Sequence, residues 1–141
     1  MWEKKSDDGS IHDKDDLYGW CGASCGTANI MDGTITTTFL AGLNGSGGFA
    51  GHTDWRIPNA NELESIRDLE NETPATYSAF NTGCAAGCSV TTCSCTESSF
   101  YWSSTTFQGI PGTAWRVFFL DGGLGGDGKN APLHVRAVRR G

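Results

Sequence analysis

Residues 101–141 read YWSSTTFQGIPGTAWRVFFLDGGLGGDGKNAPLHVRAVRRG. This stretch holds two of the five tryptophans and the clearest strand pattern in the chain. From Trp115 the side chains alternate. Trp115, Val117 and Phe119 fall on one face, and Arg116, Phe118 and Leu120 on the other, because successive strand residues point to opposite sides. A solvent face ordinarily carries Thr, Lys or Glu. Phe118 and Leu120 there predict a covered or ligand-binding surface, or a strand buried on both sides. Tyr101–Thr106 opens this β region, and 107–113 is a Gly/Pro loop that exposes Phe107 and Ile110. Residues 122–128 form a glycine-rich turn, and 133–139 form a closing strand whose alternation breaks at Ala137-Val138.

Outward from that stretch, the segment 54–71 is the next most informative. Pro58 pushes Ile57 into extended backbone. Asn59 followed by Glu62 forms a capping box. Leu63, Ile66 and Leu69 make an apolar stripe at helical spacing, with Glu64, Arg67, Asp68 and Glu70 on the wet side, which predicts a helix over 60–70. Trp55 reads as a core residue beside the start of that helix. TITTTFLAGL at 34–43 leans helical, and the Gly/Ser-rich residues 44–48 form a loop. Residues 72–100 read as one long loop, a length that demands tethering or function.

Six cysteines stand at 21, 25, 84, 88, 93 and 95. An even count in a small, loop-rich chain with 20 glycines favours disulfides and an oxidising compartment. The spacings lack the paired CxxC knuckles of a zinc site, and the pairing itself stays open. The acidic loop 7–16 is either a solvated turn or a Ca²⁺ loop, since closely spaced carboxylates suit that ion. Its spacing departs from the EF-hand pattern.

The 141 residues suit one domain over 1–141. Net charge is −6, which excludes a general nucleic-acid footprint. Within 115–141, however, Arg116, Lys129, Arg136, Arg139 and Arg140 outnumber Asp121 and Asp127. No stretch approaches the about 20 apolar residues of a membrane span, so no membrane insertion is expected. The opening residues run directly into charge without an apolar leader core. That is the pattern expected of a domain excised from a longer secreted chain. His52 with Asp54 is too isolated to build a nucleophile site, and His12 and His134 have no evident partner. An enzyme is therefore not expected.

Five segments, MWEKK at 1–5, GHTDWRIPNANEL at 51–63, YWSSTT at 101–106, AWRVFFLDG at 114–122 and VRAVRRG at 135–141, together resemble the Lcl C-terminal-like domain of bacterial surface and secreted proteins. The resemblance covers nearly the whole chain. It implies an α+β, C-type-lectin-like fold with two helices, a small irregular antiparallel sheet and long loops. That fold is shared with formylglycine-generating enzymes and with the variable proteins of diversity-generating retroelements. It also implies an extracellular or cell-surface location and a binding surface near the C-terminus.

By analogy with the variable proteins, framework positions are Tyr101, Trp102, Ser103, Ser104, Trp115, Val117, Phe119, Gly122, Val135, Arg136, Val138 and Arg139. The ligand-contacting positions between them are Phe107, Gln108, Ile110, Pro111, Arg116, Phe118, Leu120, Leu124, Asp127, Leu133 and His134. The expected function is recognition of a protein or a carbohydrate, sulfated glycans included, because the adhesin that names the family is associated with them. Membership of a diversified receptor system is one alternative. A homo-oligomerisation domain is another, a homotrimer by family association.

Overall fold

A computed structural model describes residues 1–141. Its centre is a three-stranded antiparallel meander: β2 (Phe100–Thr106), β3 (Thr113–Phe118) and β4 (Gly123–Gly128). A two-stranded ribbon pairs β1 (Tyr18–Gly19) with β5 (Pro132–Leu133). Helical structure is short. A wide π-type turn, Ile35–Leu40, runs directly into α1 (Ala41–Asn44), and α2 covers Ala60–Glu64. The architecture is α+β with no closed barrel, as expected, and no helix is long and apolar enough to cross a membrane.

The register sets two faces. Tyr101 lies opposite Val117, while Phe100 lies opposite Phe118 and Trp102 opposite Arg116. Tyr101, Val117 and Phe119 pack with Leu63 and Ile66 in a small core beneath α2. Trp102 goes the other way, into a larger core with Trp20, Phe39, Leu43, Trp55, Ile57 and Val135. Its indole Nε1 donates to the Tyr18 carbonyl at 3.1 Å. The sheet is thus covered on both sides along β2, which fits the covered-face alternative read from the alternation.

Three expectations are corrected. The glycine-rich segment expected as a turn over 122–128 is strand β4, paired with β3 from Thr113↔Gly128 to Phe118↔Gly123. Its glycines serve close packing. A Cβ on Gly126 would come within 2.8 Å of the Phe107 ring, and one on Gly125 within 3.4 Å of the Arg116 guanidinium. The helix expected over 60–70 ends at Glu64. Asn59 and Glu62 form the capping box as read. After Glu64, however, Arg67 is drawn away to bond the Gly122 carbonyl at 2.7 Å and bridges Thr76. Leu63 and Ile66 stay buried while Leu69 emerges 68% exposed. Finally, only Pro132–Leu133 of the closing segment pairs as a strand. Beyond it, His134 bridges Tyr101, and Val138 bridges Trp2 and Arg56.

The long loop 72–100 is tied covalently and by one cation. Disulfides join Cys84–Cys95 and Cys88–Cys93, with Cys21–Cys25 elsewhere. The Arg136 guanidinium is fully buried over the loop. It donates to the carbonyls of Glu3 and Cys95 and to the hydroxyls of Ser94 and Thr96. A planar five-donor group suits that task, because each loop carbonyl would otherwise be buried without a partner. Three disulfides are the covalent chemistry of an oxidising compartment.

Candidate functional site

The residues expected to contact ligand separate into four groups, with Leu120 apart from them. Phe107 and Leu124 lie on the α2 side. The Phe107 ring stacks on Trp115 with centroids 4.4 Å apart, filling the space left by Gly126. Trp115 is half-buried, and Leu124 is 40% exposed. With Asn59, Asn61, Glu64 and Thr105 they border an open groove of about 470 Å³. Thr105 fixes the groove's width, since its hydroxyl oxygen accepts from the Ala60 amide at 2.9 Å. The start of α2 is thereby joined to β2.

Gln108, Ile110 and Pro111 form the exposed 107–112 loop, with Ile110 54% exposed. Pro111 also borders a second open cleft of about 570 Å³, whose far wall carries Asn29 and the Cys21–Cys25 bridge. Lys129 lies at its floor but is already engaged. Its ammonium donates to the Asn29 carbonyl and the Thr106 hydroxyl, both at 2.9 Å, and sits 4.0 Å from the Trp20 ring centre. Burial pulls its pKa down.

Arg116, Phe118 and Asp127 lie on the opposite face and pack together, although the buried Arg116 Nε has no hydrogen-bond partner. Phe118 stacks on Phe100 at 4.2 Å. The Arg116 guanidinium lies 3.9 Å over the same Phe100 ring and is 3.5 Å from the Asp127 carboxylate. Leu120 is exposed at the β3–β4 turn, near Leu69, which packs over Gly122.

Leu133 and His134 are not surface residues, contrary to expectation. Leu133 is 8% exposed in the larger core, and His134 is 9% exposed, stacked on Tyr101 at 5.4 Å. Burial lowers the His134 pKa, because the charged imidazolium loses its water. The alternation of a strand does not apply at this point, since the segment leaves the sheet after Leu133.

Most of the basic excess near the C-terminus is consumed internally, and only Arg140 stays exposed and unpaired. Arg116 pairs with Asp127, and Arg139 bonds Asp54 at 2.8 Å. Arg136 and Lys129 are buried. The acidic loop likewise contains its own cation. Carboxylate oxygens of Asp7, Asp13 and Asp15 gather within 4.8 Å, the arrangement a divalent ion would use. The Lys14 ammonium, however, already lies 2.6 Å from Asp15, 2.8 Å from Glu97 and 3.9 Å from Asp7. Partial burial opposes its charge, yet the bonds to Asp15 and Glu97 raise its pKa.

Two features escaped sequence reasoning. Asn59, Asn61 and Thr105 belong to the α2-side groove, and only the wet side of the predicted helix hinted at their exposure. The second is an apolar groove of about 410 Å³ where Trp2, Phe49 and Trp55 meet Val90 and Thr91. Its parts come from three distant segments, so no local pattern announces it.

No curated protein and no solved structure matches this chain. Residues 1–139 match the family described as the Lcl C-terminal domain. The spread of that match across every element described above makes the chain a member of the Lcl C-terminal domain family.

Proposed function

We propose that this domain is a binding module, displayed outside the cell or on its surface, and that its ligand is a neutral glycan held in the groove between α2 and the β3–β4 hairpin. The observation that carries the reading is Trp115. A half-exposed indole, braced by Phe107 and flanked by Leu124, offers an apolar platform for a sugar ring. The side chains of Asn61, Glu64 and Thr105 stand around it as directional polar groups. The three disulfides support the extracellular location. A sulfated ligand is less favoured because, exposed Arg140 apart, the nearby cations are paired or buried.

The test is a glycan array read with the wild-type domain and with Leu124→Arg and Asn61→Ala. Both substitutions lie on the groove's rim. Binding to neutral glycans that both variants lose, with unchanged melting temperature, supports the reading. Binding that persists in both removes this groove from consideration.

One pattern favours a second, compatible reading as a diversified receptor. The framework positions Tyr101, Trp102, Ser103, Val117, Phe119, Val135, Arg136 and Val138 are buried. Gln108, Ile110, Pro111, Leu120 and Leu124 are exposed, while Leu133 and His134 of the same set are buried. Such a surface tolerates change without loss of the fold. Exposed Leu69 and Leu120 around the β3–β4 turn also suit a protein contact, a homotrimer included.

A further inference from the structure

The two disulfides of the long loop are not independent. The Cys88 Sγ lies 3.6 Å from the Cys95 Sγ, although these atoms belong to different bridges. The sulfurs of Cys84, Cys88 and Cys95 all lie within 4.8 Å of one another. The four cysteines thus form a chain of sulfurs, running Cys84, Cys95, Cys88, Cys93. One end is wet and the other dry: Cys84 is exposed, Cys88 half-buried, and Cys93 and Cys95 are buried.

From this arrangement we propose that the cluster is a thiol-exchange site, which captures an external low-molecular-weight thiol on Cys84 and passes the bond inward to Cys88–Cys95. Thiol–disulfide exchange goes by attack of a thiolate on an accessible sulfur, with the partner sulfur leaving. The external thiolate attacks the Cys84 Sγ. The Cys84–Cys95 bond breaks, and its electron pair leaves on the Cys95 Sγ. That thiolate attacks the adjacent Cys88 Sγ. The Cys88–Cys93 bond breaks, its electron pair leaves on the Cys93 Sγ, and Cys93 takes the proton released by the external thiol. Two disulfides and one thiol enter, and two disulfides and one thiol remain. No oxidant or reductant beyond the external thiol is needed.

Two surroundings favour this direction. The buried Arg136 guanidinium bonds the Cys95 carbonyl and has no carboxylate salt-bridge partner. A cation next to a cysteine lowers the cost of its thiolate. The Cys88–Cys93 bridge also closes the small ring holding Val90 and Thr91, which wall the apolar groove beside Trp2 and Phe49. Moving that bond to Cys88–Cys95 widens the ring from 88–93 to 88–95 with Val90 and Thr91 still inside it, so thiol capture loosens this wall as well as changing a covalent link.

The experiment treats the oxidised domain with reduced glutathione, quenches in acid and alkylates free thiols. Tandem mass spectrometry then locates the adduct and the label. The expected result is one glutathione on Cys84 and the alkyl label on Cys93. A label on Cys95, an adduct on Cys25, or no adduct at all overturns the proposal. In the Cys88→Ser/Cys93→Ser variant the inner bridge is absent and the Cys95 thiol expels the captured thiol, so the Cys84 adduct falls about tenfold. An undiminished adduct there also overturns it. A Cys84→Ser/Cys95→Ser variant, which keeps the inner bridge, takes up no glutathione. Uptake by that variant places the chemistry at Cys88–Cys93 or Cys21–Cys25 and ends the proposal.

Discussion

The two faces of the β2–β3 pair have nearly the same aromatic character and opposite fates. On one, Phe100, Arg116 and Phe118 close on each other and on Asp127, leaving few contacts for a ligand. On the other, Tyr101, Val117 and Phe119 are sealed by α2, but the short helix stops at Glu64 and the far end of the face opens at Trp115 and Leu124. Alternation assigns residues to faces. Which face binds depends on what covers it and where the cover ends.

The largest break in this comparison comes from the larger core. Trp102→Ala removes a fully buried indole and its bond to Tyr18, and is expected to cost about 3–5 kcal/mol. Denaturant melts should show both faces lost together, because Trp102 and Tyr101 are neighbours on one strand. Retention of the Trp115 environment by fluorescence after that loss would mean that the faces unfold separately.

A smaller effect acts on one face alone. Asn59→Ala removes the cap that accepts the Glu62 amide at 2.8 Å and is expected to cost about 1 kcal/mol. Hydrogen exchange should rise at Leu63 and Ser65, with the Trp102 amide unchanged. Equal acceleration at both sites would show that α2 and the larger core are one cooperative unit.

The smallest effect is a pH dependence that sharpens the role of α2. Glu62 bonds Arg56 through both oxygens, at 2.6 and 2.8 Å. This pair, aided by the Asn59 amide, lowers its pKa to about 2, against about 4.3 unfolded. A carboxylate whose folded pKa is depressed stabilises the fold above the unfolded value. That contribution is lost as pH falls from about 4.3 through about 2. Because both partners are substantially exposed, the effect should stay below about 1 kcal/mol. Melts of wild type and Glu62→Gln across that range check it, since the variant should lack this part of the acid slope. Parallel slopes would show that the pair contributes nothing.

Local chemistry was readable where its partners lie within a few residues. The Asn59–Glu62 box is a contact across a single turn, and it appears as read. The Tyr101–Thr106 strand and the helical lean of 34–43 depend on similarly short-range pattern. The sequence pattern overextends α2 because Leu69 keeps the apolar spacing, while past the helix end Arg67 bonds Gly122, 55 residues away. Strand β4 resembles a turn in the sequence for a related reason. Glycines carry no strand signal of their own, and only the neighbouring β3 ladder and the Phe107 and Arg116 side chains make them useful there. The site shows the same division. Of the groove's lining, Leu124 is legible in the sequence as a contact position, Trp115 reads there as framework, and Asn59, Asn61 and Thr105 join them only because α2 docks on β2.

By itself, then, the sequence determined the family, the α+β class, the oxidised cysteines and the capped start of α2. These follow from composition, ordered motifs and hydrogen bonds between near neighbours. The tertiary structure alone decided the cystine pairing, the burial of Leu133 and His134, the internal use of the basic residues and the groove beside Trp115. Each of these depends on segments far apart in the chain meeting at short range, where burial and Coulomb forces act and sequence periodicity carries no information.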